Sequence, residues 1–322
     1  MPTLLLTGCA GFIGSNILEK VLNMGWVVIW LDNLATGHRK HIAPYLSNKN
    51  FVFVDGDVRD KALIEQLIDQ YAIQYISHQA ARWSVSKSVE DPLLSNDINV
   101  TGTLTILTVA KEKHIKKVVV AISSSIYGDT PTLPKIETMP YDPLSPYAIT
   151  KVTKELYCRV FWSLHGLATI GLRYFNVYGK RQDPLGDYAA VIPRWIYNAL
   201  SWQDLPLYGT GTQTRDFTYI DDVVDANIAA LLCEDQSAFG RWYNICAGQQ
   251  IAIKDLAGKI IQASGSTSQI VAAPARLGDI HDSYGSWDAA HRAFGYKPQH
   301  DMDSGLAATL DRYREHMSYF DA

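Results

Sequence analysis

The chain has 322 residues, a formal charge of −4 and a hydrophobic fraction of 47%. That suffices for one large core with a smaller appended lobe, and the charge balance gives no reason to expect nucleic acid as a partner. Four cysteines (Cys9, Cys158, Cys233 and Cys246) lie far apart with no C-x-x-C, which argues against zinc and against a disulfide framework.

The first apolar run, Leu4-Leu5-Leu6 inside a buried strand from Thr3 to Thr7, is too short for a signal peptide or a membrane span. No membrane insertion and a cytoplasmic location are the default expectations. Helix follows from Gly11 through Met24, then strands at Trp26 to Leu31 and Phe51 to Val54, helix from Lys61 to Gln70, and a short strand from Tyr75 to His78. A helix over about Asn96 to Lys113 precedes the apolar run Lys117 to Ile122, and a long helix from Tyr147 to His165 precedes a strand from Ala168 to Leu172. Apolar strands alternating with such helices specify an α/β fold, a Rossmann-type parallel sheet covered on both faces. After about residue 178 Gly and Pro become frequent, as in Leu205-Pro206-Leu207-Tyr208-Gly209. Residues 1–178 are therefore expected to form mainly the dinucleotide-binding domain. Residues 179–322 form mainly a smaller substrate-binding lobe, with some segments returning to the large domain.

Gly8-Cys9-Ala10-Gly11-Phe12-Ile13-Gly14 is G-x-x-G-x-x-G between a strand and a helix, where pyrophosphate can sit on the helix N-terminus. Cys9 inside this loop reads as a small filler. Asp32 ends the second strand, and a carboxylate there accepts from the adenosine ribose and repels a 2′-phosphate, which favours NAD over NADP. Asp57-Val58 after the third strand is placed to meet the adenine edge, and Gln79-Ala80-Ala81 after the fourth lets backbone approach the cofactor; each also reads as ordinary loop.

Tyr147 and Lys151 form Y-x-x-x-K, one helical turn apart on one face. The ammonium is expected to lower the phenol pKa by proximity, giving a general base for a hydroxyl while a nicotinamide takes the hydride. Ser123-Ser124-Ser125 follows an apolar strand at the carboxyl edge of the sheet, where ligands bind. A serine there can bond both a substrate hydroxyl and the Tyr147 oxygen. Serine nucleophile chemistry lacks its G-x-S-x-G.

These motifs resemble the extended short-chain dehydrogenase/reductase family, and within it the NAD-dependent UDP-sugar 4-epimerases, closest to the bacterial UDP-N-acetylglucosamine 4-epimerases. The resemblance runs through the glycine motif, Asp32-Asn33-Leu34, Ser123-Ser124-Ser125-Ile126-Tyr127-Gly128 and Ser145-Pro146-Tyr147-Ala148-Ile149-Thr150-Lys151. It continues through Leu172-Arg173-Tyr174-Phe175-Asn176-Val177-Tyr178-Gly179, the run from Gly211 through Asp222, and Arg276-Leu277-Gly278-Asp279. It implies that Ser123, Tyr147 and Lys151 are catalytic. It places NAD against Gly8, Gly11, Phe12, Ile13, Gly14, Asp32, Asn33, Asp57, Val58, Gln79, Ala80, Ala81, Asn99, Tyr147, Lys151, Tyr174 and Val177. It places a UDP-sugar against Ser84, Ser123, Ser124, Tyr147, Asn176, Ala190, Val191, Tyr208, Arg215, Arg276, Asp279 and Ser283, with no metal.

Related dehydratases carry Thr-Asp-Glu in the serine run and decarboxylases an acidic residue at its third position. Ser124 and Ser125 supply neither, so the implied chemistry is epimerisation. Tyr147 takes the C4 hydroxyl proton, hydride leaves C4 for NAD, and the 4-keto sugar turns and takes it back on the other face.

In the family a tyrosine four residues after the R-x-G-D aspartate narrows the pocket toward glucose. Here Ser283 stands there, which argues for UDP-GlcNAc/UDP-GalNAc. Arg82-Trp83 departs from the small or aliphatic residues of the acetyl-sugar enzymes and keeps UDP-glucuronic acid open, beside UDP-glucose. A nucleotide-sugar 4-keto reductase consuming NAD(P)H is the alternative chemistry. The family pairs as dimers through two long helices, here near 97–113 and 147–165, so a homodimer is expected, with Ile98, Leu104 and Leu107 as candidates for the seam.

Overall fold

A computed structural model describes residues 1–186, 189–274 and 280–317. Seven strands form one parallel sheet. In chain order they are β1 (Thr3–Thr7), β2 (Val27–Asp32), β3 (Phe51–Asp55), β4 (Tyr75–His78), β5 (Lys117–Ser123), β6 (Thr169–Tyr174) and a last strand, Arg241–Ile245. The spatial order is Arg241–Ile245, β6, β5, β4, β1, β2, β3. Between β1 and β4 the strand order reverses, so the carboxyl ends of β1, β2 and β4 open a crevice there.

Six helices frame the sheet's first half: α1 (Phe12–Asn23), α2 (Lys61–Tyr71), α3 (Val85–Glu90), α4 (Pro92–Asn96), α5 (Gly102–Glu112) and α6 (Pro146–His165). Core clusters fill both faces. Leu4, Leu6, Val28 and Trp30 pack on one, and Leu5, Ile29, Val118 and Val120 on the other. That two-sided burial is why the strands read as continuous apolar runs.

The expected strands lie within a residue or two of the observed ones. The expected helix Asn96 to Lys113 differs in its first turn: Asp97–Thr101 is a π-helical stretch, and regular helix begins at Gly102. Helix also begins earlier than the pattern suggested, at Val85 and again at Pro92, where Ser84 and Asp91 accept from the Lys87 and Leu94 amides as N-caps. The chain after 178 sends the helix Ile220–Leu232 against α1 and the strand Arg241–Ile245 into the main sheet.

The turn between β1 and α1 is set by crowding. A Cβ on Gly8, whose φ is +69°, would stand 2.6 Å from the Ala80 amide nitrogen, and one on Gly14 2.4 Å from the Gly8 oxygen. Both clashes are with backbone, which cannot swing aside. Gly14→Ala is therefore expected to cost about 1–3 kcal/mol of stability by overpacking, read as a lowered Tm. A Tm within error of the natural protein would contradict the crowding.

Candidate active site

Ser145 caps α6 by accepting from the Ala148 amide at 3.1 Å, and Pro146 pre-sets its first turn. The Tyr147 amide donates to Ser88 Oγ at 3.0 Å, tying this turn to α3. One turn on, Lys151 is 2% exposed, and its Nζ donates to the Ala121 carbonyl of β5 at 3.1 Å. The Nζ lies 5.4 Å from the Tyr147 ring centre, over the ring. Ser123, the last residue of β5, stands near the Tyr147 side chain, and its hydroxyl works to lower the phenol's pKa. The three residues expected to be catalytic are thus together at the carboxyl edge of the sheet.

Their electrostatics differ from the sequence expectation. Loss of hydration pushes the Tyr147 phenol up to about 12, and the Ser123 hydroxyl is the group that works against it. Lys151 is displaced well downward, by burial first and by Lys154 second. The proximity lowering expected from Lys151 is not among the causes that set this phenol; its Nζ donates to Ala121, and burial disfavours its charged form.

Asn99 sits in the π-helical stretch, fully buried. Its Oδ1 accepts from the Arg82 amide at 2.7 Å, and its Nδ2 donates to the Arg82 carbonyl and to Thr150 Oγ1 at 3.0 Å. Thr150 in turn donates to the Tyr147 carbonyl. Expected beside the cofactor, Asn99 spends its amide on holding α6 and the segment after β4 together. Ser84 Oγ caps α3, and the Arg82 guanidinium turns to Asp91 at 3.5 Å while Trp83 stands exposed.

The crevice at the carboxyl ends of β1, β2 and β4 is braced by the chain's own groups. Asp32 accepts from the Ala10 amide at 2.9 Å and the Leu34 amide at 2.8 Å, and burial raises its pKa. Asn33 donates to Asp57, which Arg59 grips through Nε and Nη2 at 2.8 and 2.7 Å. That grip holds Asp57 down at about 2. Val58 is in the core. Gln79 donates to Asn227 and accepts from the Tyr174 hydroxyl, while Ala80 donates to Thr7 Oγ1; Ala81 is half-buried beside them. Gly11 ends the turn as the N-cap of α1 with no side chain bonded there, so the opening N–H groups at Phe12 and Ile13 keep the free, positive helix end that a pyrophosphate needs. With the Gly8–Ala80 approach and the carboxylate at Asp32, these residues fit a dinucleotide.

A cleft of about 270 Å³ gathers five of the twelve expected substrate residues: Asn176, Ala190, Val191, Tyr208 and Arg215. Val177, expected on the cofactor side, lines this cleft as well. Arg215 Nη1 donates to the Thr214 and His281 carbonyls at 2.8 and 3.2 Å, and Asn176 Nδ2 to the Asp216 carbonyl. Ser283 is 7% exposed, and its amide donates to the Thr214 carbonyl beside Arg215. Ser124 is half-buried in the turn after Ser123. Arg276 and Asp279 lie outside the described residues.

Sequence reasoning missed Trp195, Gln213, Phe217 and Ile253 on the cleft wall. It also missed Asp216, whose buried carboxylate accepts the Ala247, Gly248 and Gly285 amides and is pushed up to about 7 by burial. The aspartate within Arg215-Asp216-Phe217 was visible as part of a motif, but its anchoring partners are remote in sequence. Among the described residues no helix is long and apolar enough to cross a membrane, and no cluster of three His, Cys, Asp or Glu could hold a metal ion.

Residues 4–246 match the NAD dependent epimerase/dehydratase family. A putative UDP-glucose 4-epimerase of Methanocaldococcus jannaschii is 38% identical over 96% of this chain and 97% of its own. The structure is similar to that of a UDP-N-acetylglucosamine 4-epimerase from Methanobrevibacter ruminantium in complex with UDP-N-acetylmuramic acid, with a TM-score of 0.92, 32% identity and coverage of 98% and 99% of the two chains. It is also similar to Thermus thermophilus UDP-glucose 4-epimerase in complex with NAD, with a TM-score of 0.87, 35% identity and the same coverage.

Lys154, one turn beyond Lys151, is fully buried with no hydrogen-bond partner for its Nζ, and burial lowers its pKa from 10.5 to about 8. Between pH 8 and 10.5 the unfolded chain holds a proton there that the folded chain has released, so stability rises with pH across that window. Below it the folded chain carries the buried charge at full cost. Lys154→Met is expected to be the more stable protein at pH 7, by on the order of 1–3 kcal/mol, with the gap narrowing toward pH 10. Urea denaturation at both pH values checks this; a constant gap would contradict it.

Proposed function

The chain belongs to the NAD-dependent epimerase/dehydratase family, and from that premise we propose that it interconverts the C4 epimers of a UDP-hexose, UDP-GlcNAc and UDP-GalNAc in particular. The observation that carries this reading is the Ser123–Tyr147 pair beside Lys151 at the sheet edge. It is a proton-transfer pair for a sugar hydroxyl, with Ser124 and Ser125 in place of the acidic groups a dehydration needs.

NAD, when bound, supplies a hydride acceptor that can return what it takes. Tyr147 accepts the C4 hydroxyl proton and gives it back, and Ser123 orients that hydroxyl and lowers the cost of the phenolate. Lys151 uses one donor on Ala121, leaving others for the nicotinamide ribose. Arg215 and Asn176 receive the diphosphate, guanidinium geometry suiting phosphate, and Ala190 and Val191 form the apolar wall of the same cleft. Segments after residue 178 thus supply most of the sugar-nucleotide side.

Ser283, whose amide bonds the Thr214 carbonyl beside Arg215, supports an acetylated sugar because a serine carries less bulk there than a tyrosine. The Arg82 guanidinium already faces a carboxylate, Asp91, which favours a neutral sugar over a uronic acid.

Chromatography of separate reactions with UDP-GlcNAc, UDP-glucose and UDP-glucuronic acid, without added cofactor, tests the reading. Conversion of UDP-GlcNAc should exceed the others, and Ser283→Tyr should weaken it more than UDP-glucose conversion. Equal losses would remove the pocket argument. Tyr147→Phe should lower kcat by roughly 10²–10⁴-fold.

The active form is proposed to be a homodimer. Ile149, Leu156, Val160 and Leu164 form an exposed apolar stripe along α6, continued by Leu93 on α4, and a self-complementary helix face suits a two-fold pair. Leu107, expected in the seam, is instead fully buried in the chain's own core. Val160→Glu with Leu164→Glu should yield monomers by sedimentation; an unchanged sedimentation coefficient would rule this face out.

A further inference from the structure

Arg173 on β6 is among the largest fully buried side chains of the molecule. Its Nε and Nη2 donate to the two oxygens of Glu155 at 2.6 and 2.7 Å. Its Nη1 donates to the Tyr127 hydroxyl at 2.5 Å, and the guanidinium lies 4.8 Å from the Tyr127 ring centre and 5.3 Å from that of Trp242. Tyr127 donates onward to Asn244 Oδ1 at 2.6 Å, on the neighbouring strand.

Stability alone gives this arrangement no rationale, since apolar residues of similar volume generally replace a buried ion pair without loss. What the guanidinium joins is more informative. Glu155 stands one turn beyond Lys151 and two beyond Tyr147 on α6, and Tyr127 stands four residues beyond Ser123 in the turn that leaves β5. One rigid, planar fork therefore spans the two elements whose separation sets the distance between Ser123 and Tyr147.

We propose that Arg173 is a positioning residue for the proton-transfer pair, its guanidinium fixing α6 against the Ser123 turn through Glu155 and Tyr127. It touches neither substrate nor cofactor. The proposal rests on the reading of Ser123 and Tyr147 given above. Loosening the fork lets the serine hydroxyl drift from the phenol, so the phenol loses the neighbour that favours its ionised form.

Two variants of the full-length holoenzyme test this, with Ser123→Ala as the benchmark. Tyr127→Phe keeps the ring and deletes one oxygen; the double variant Arg173→Met/Glu155→Leu exchanges the ion pair for apolar groups. Both are expected to keep KM within about threefold and to lose about ten- to a hundredfold in kcat, the scale of a small misplacement of reacting groups. The rising limb of kcat against pH should move to higher pH in both, as in Ser123→Ala. A folded variant with natural kcat and an unmoved limb overturns the proposal, as does a kcat loss that leaves the limb in place. If the double variant does not fold, Tyr127→Phe decides. If Ser123→Ala itself leaves kcat and limb unchanged, the reading of the proton pair falls, whatever Arg173 does.

Discussion

Burial of Lys151 and partial burial of Tyr147 is the constraint on which the rest of the site depends. Hydration would stabilise both the phenolate and the ammonium, and the fold limits it at both: the phenol rises to about 12 and the lysine falls. A group so placed can do proton chemistry near neutral pH only if fixed neighbours replace the lost water. Ser123 is the neighbour that does so here, and a hydroxyl has this effect only at short range and in the right direction. Much of the surrounding structure serves to hold that geometry. Ser145 and Pro146 start α6 at a defined residue, Ser88 ties its first turn to α3, and Asn99 with Thr150 ties it to the segment after β4. Each of these contacts is a hydrogen bond at the helix's amino end, which is where the tyrosine is.

The cofactor side follows a different logic, one of close approach. Glycine at positions 8 and 14 lets backbone touch backbone where any side chain would collide. Asp32 is bonded to the two amides that flank the crevice, so it shapes the turn itself. Asp57 is held by Arg59 and Asn33 in the same manner. Carboxylates that read from the sequence as ligand contacts are first of all braces for the loops that carry them.

Legibility in the sequence tracked how local the cause was. Strands buried on both faces announce themselves as apolar runs, so β1, β4 and β5 lay where Leu4-Leu5-Leu6, Tyr75 to His78 and Val118 to Ile122 pointed. The glycine turn and the Tyr147–Lys151 pair were legible because each depends on short spacings, and Ser123 because it ends an apolar strand within a family motif. The segment 85–101 was not: its helices are short, polar and capped by serine and aspartate, and a π-helical stretch has no periodic signature. The electrostatic role of Lys151 was misjudged because spacing places two residues on one face without saying how much water they keep. Glu155 and Arg173 were missed for a related reason. Charged residues in a helix and a strand read as exposed ones, and only the fold reveals that each is the other's partner.

The central claim is that a C4 hydrogen leaves the sugar and returns to it within one visit to this site. UDP-GlcNAc carrying deuterium at C4, turned over in ordinary water with no added nucleotide, tests it directly by mass and NMR analysis of the product. Deuterium retained at C4 of the epimer is the result expected from a proton pair at Tyr147 and Ser123 working beside a resident hydride acceptor. Deuterium lost to solvent would mean that the proton and the hydrogen at C4 take another route, and the account of this site would be wrong.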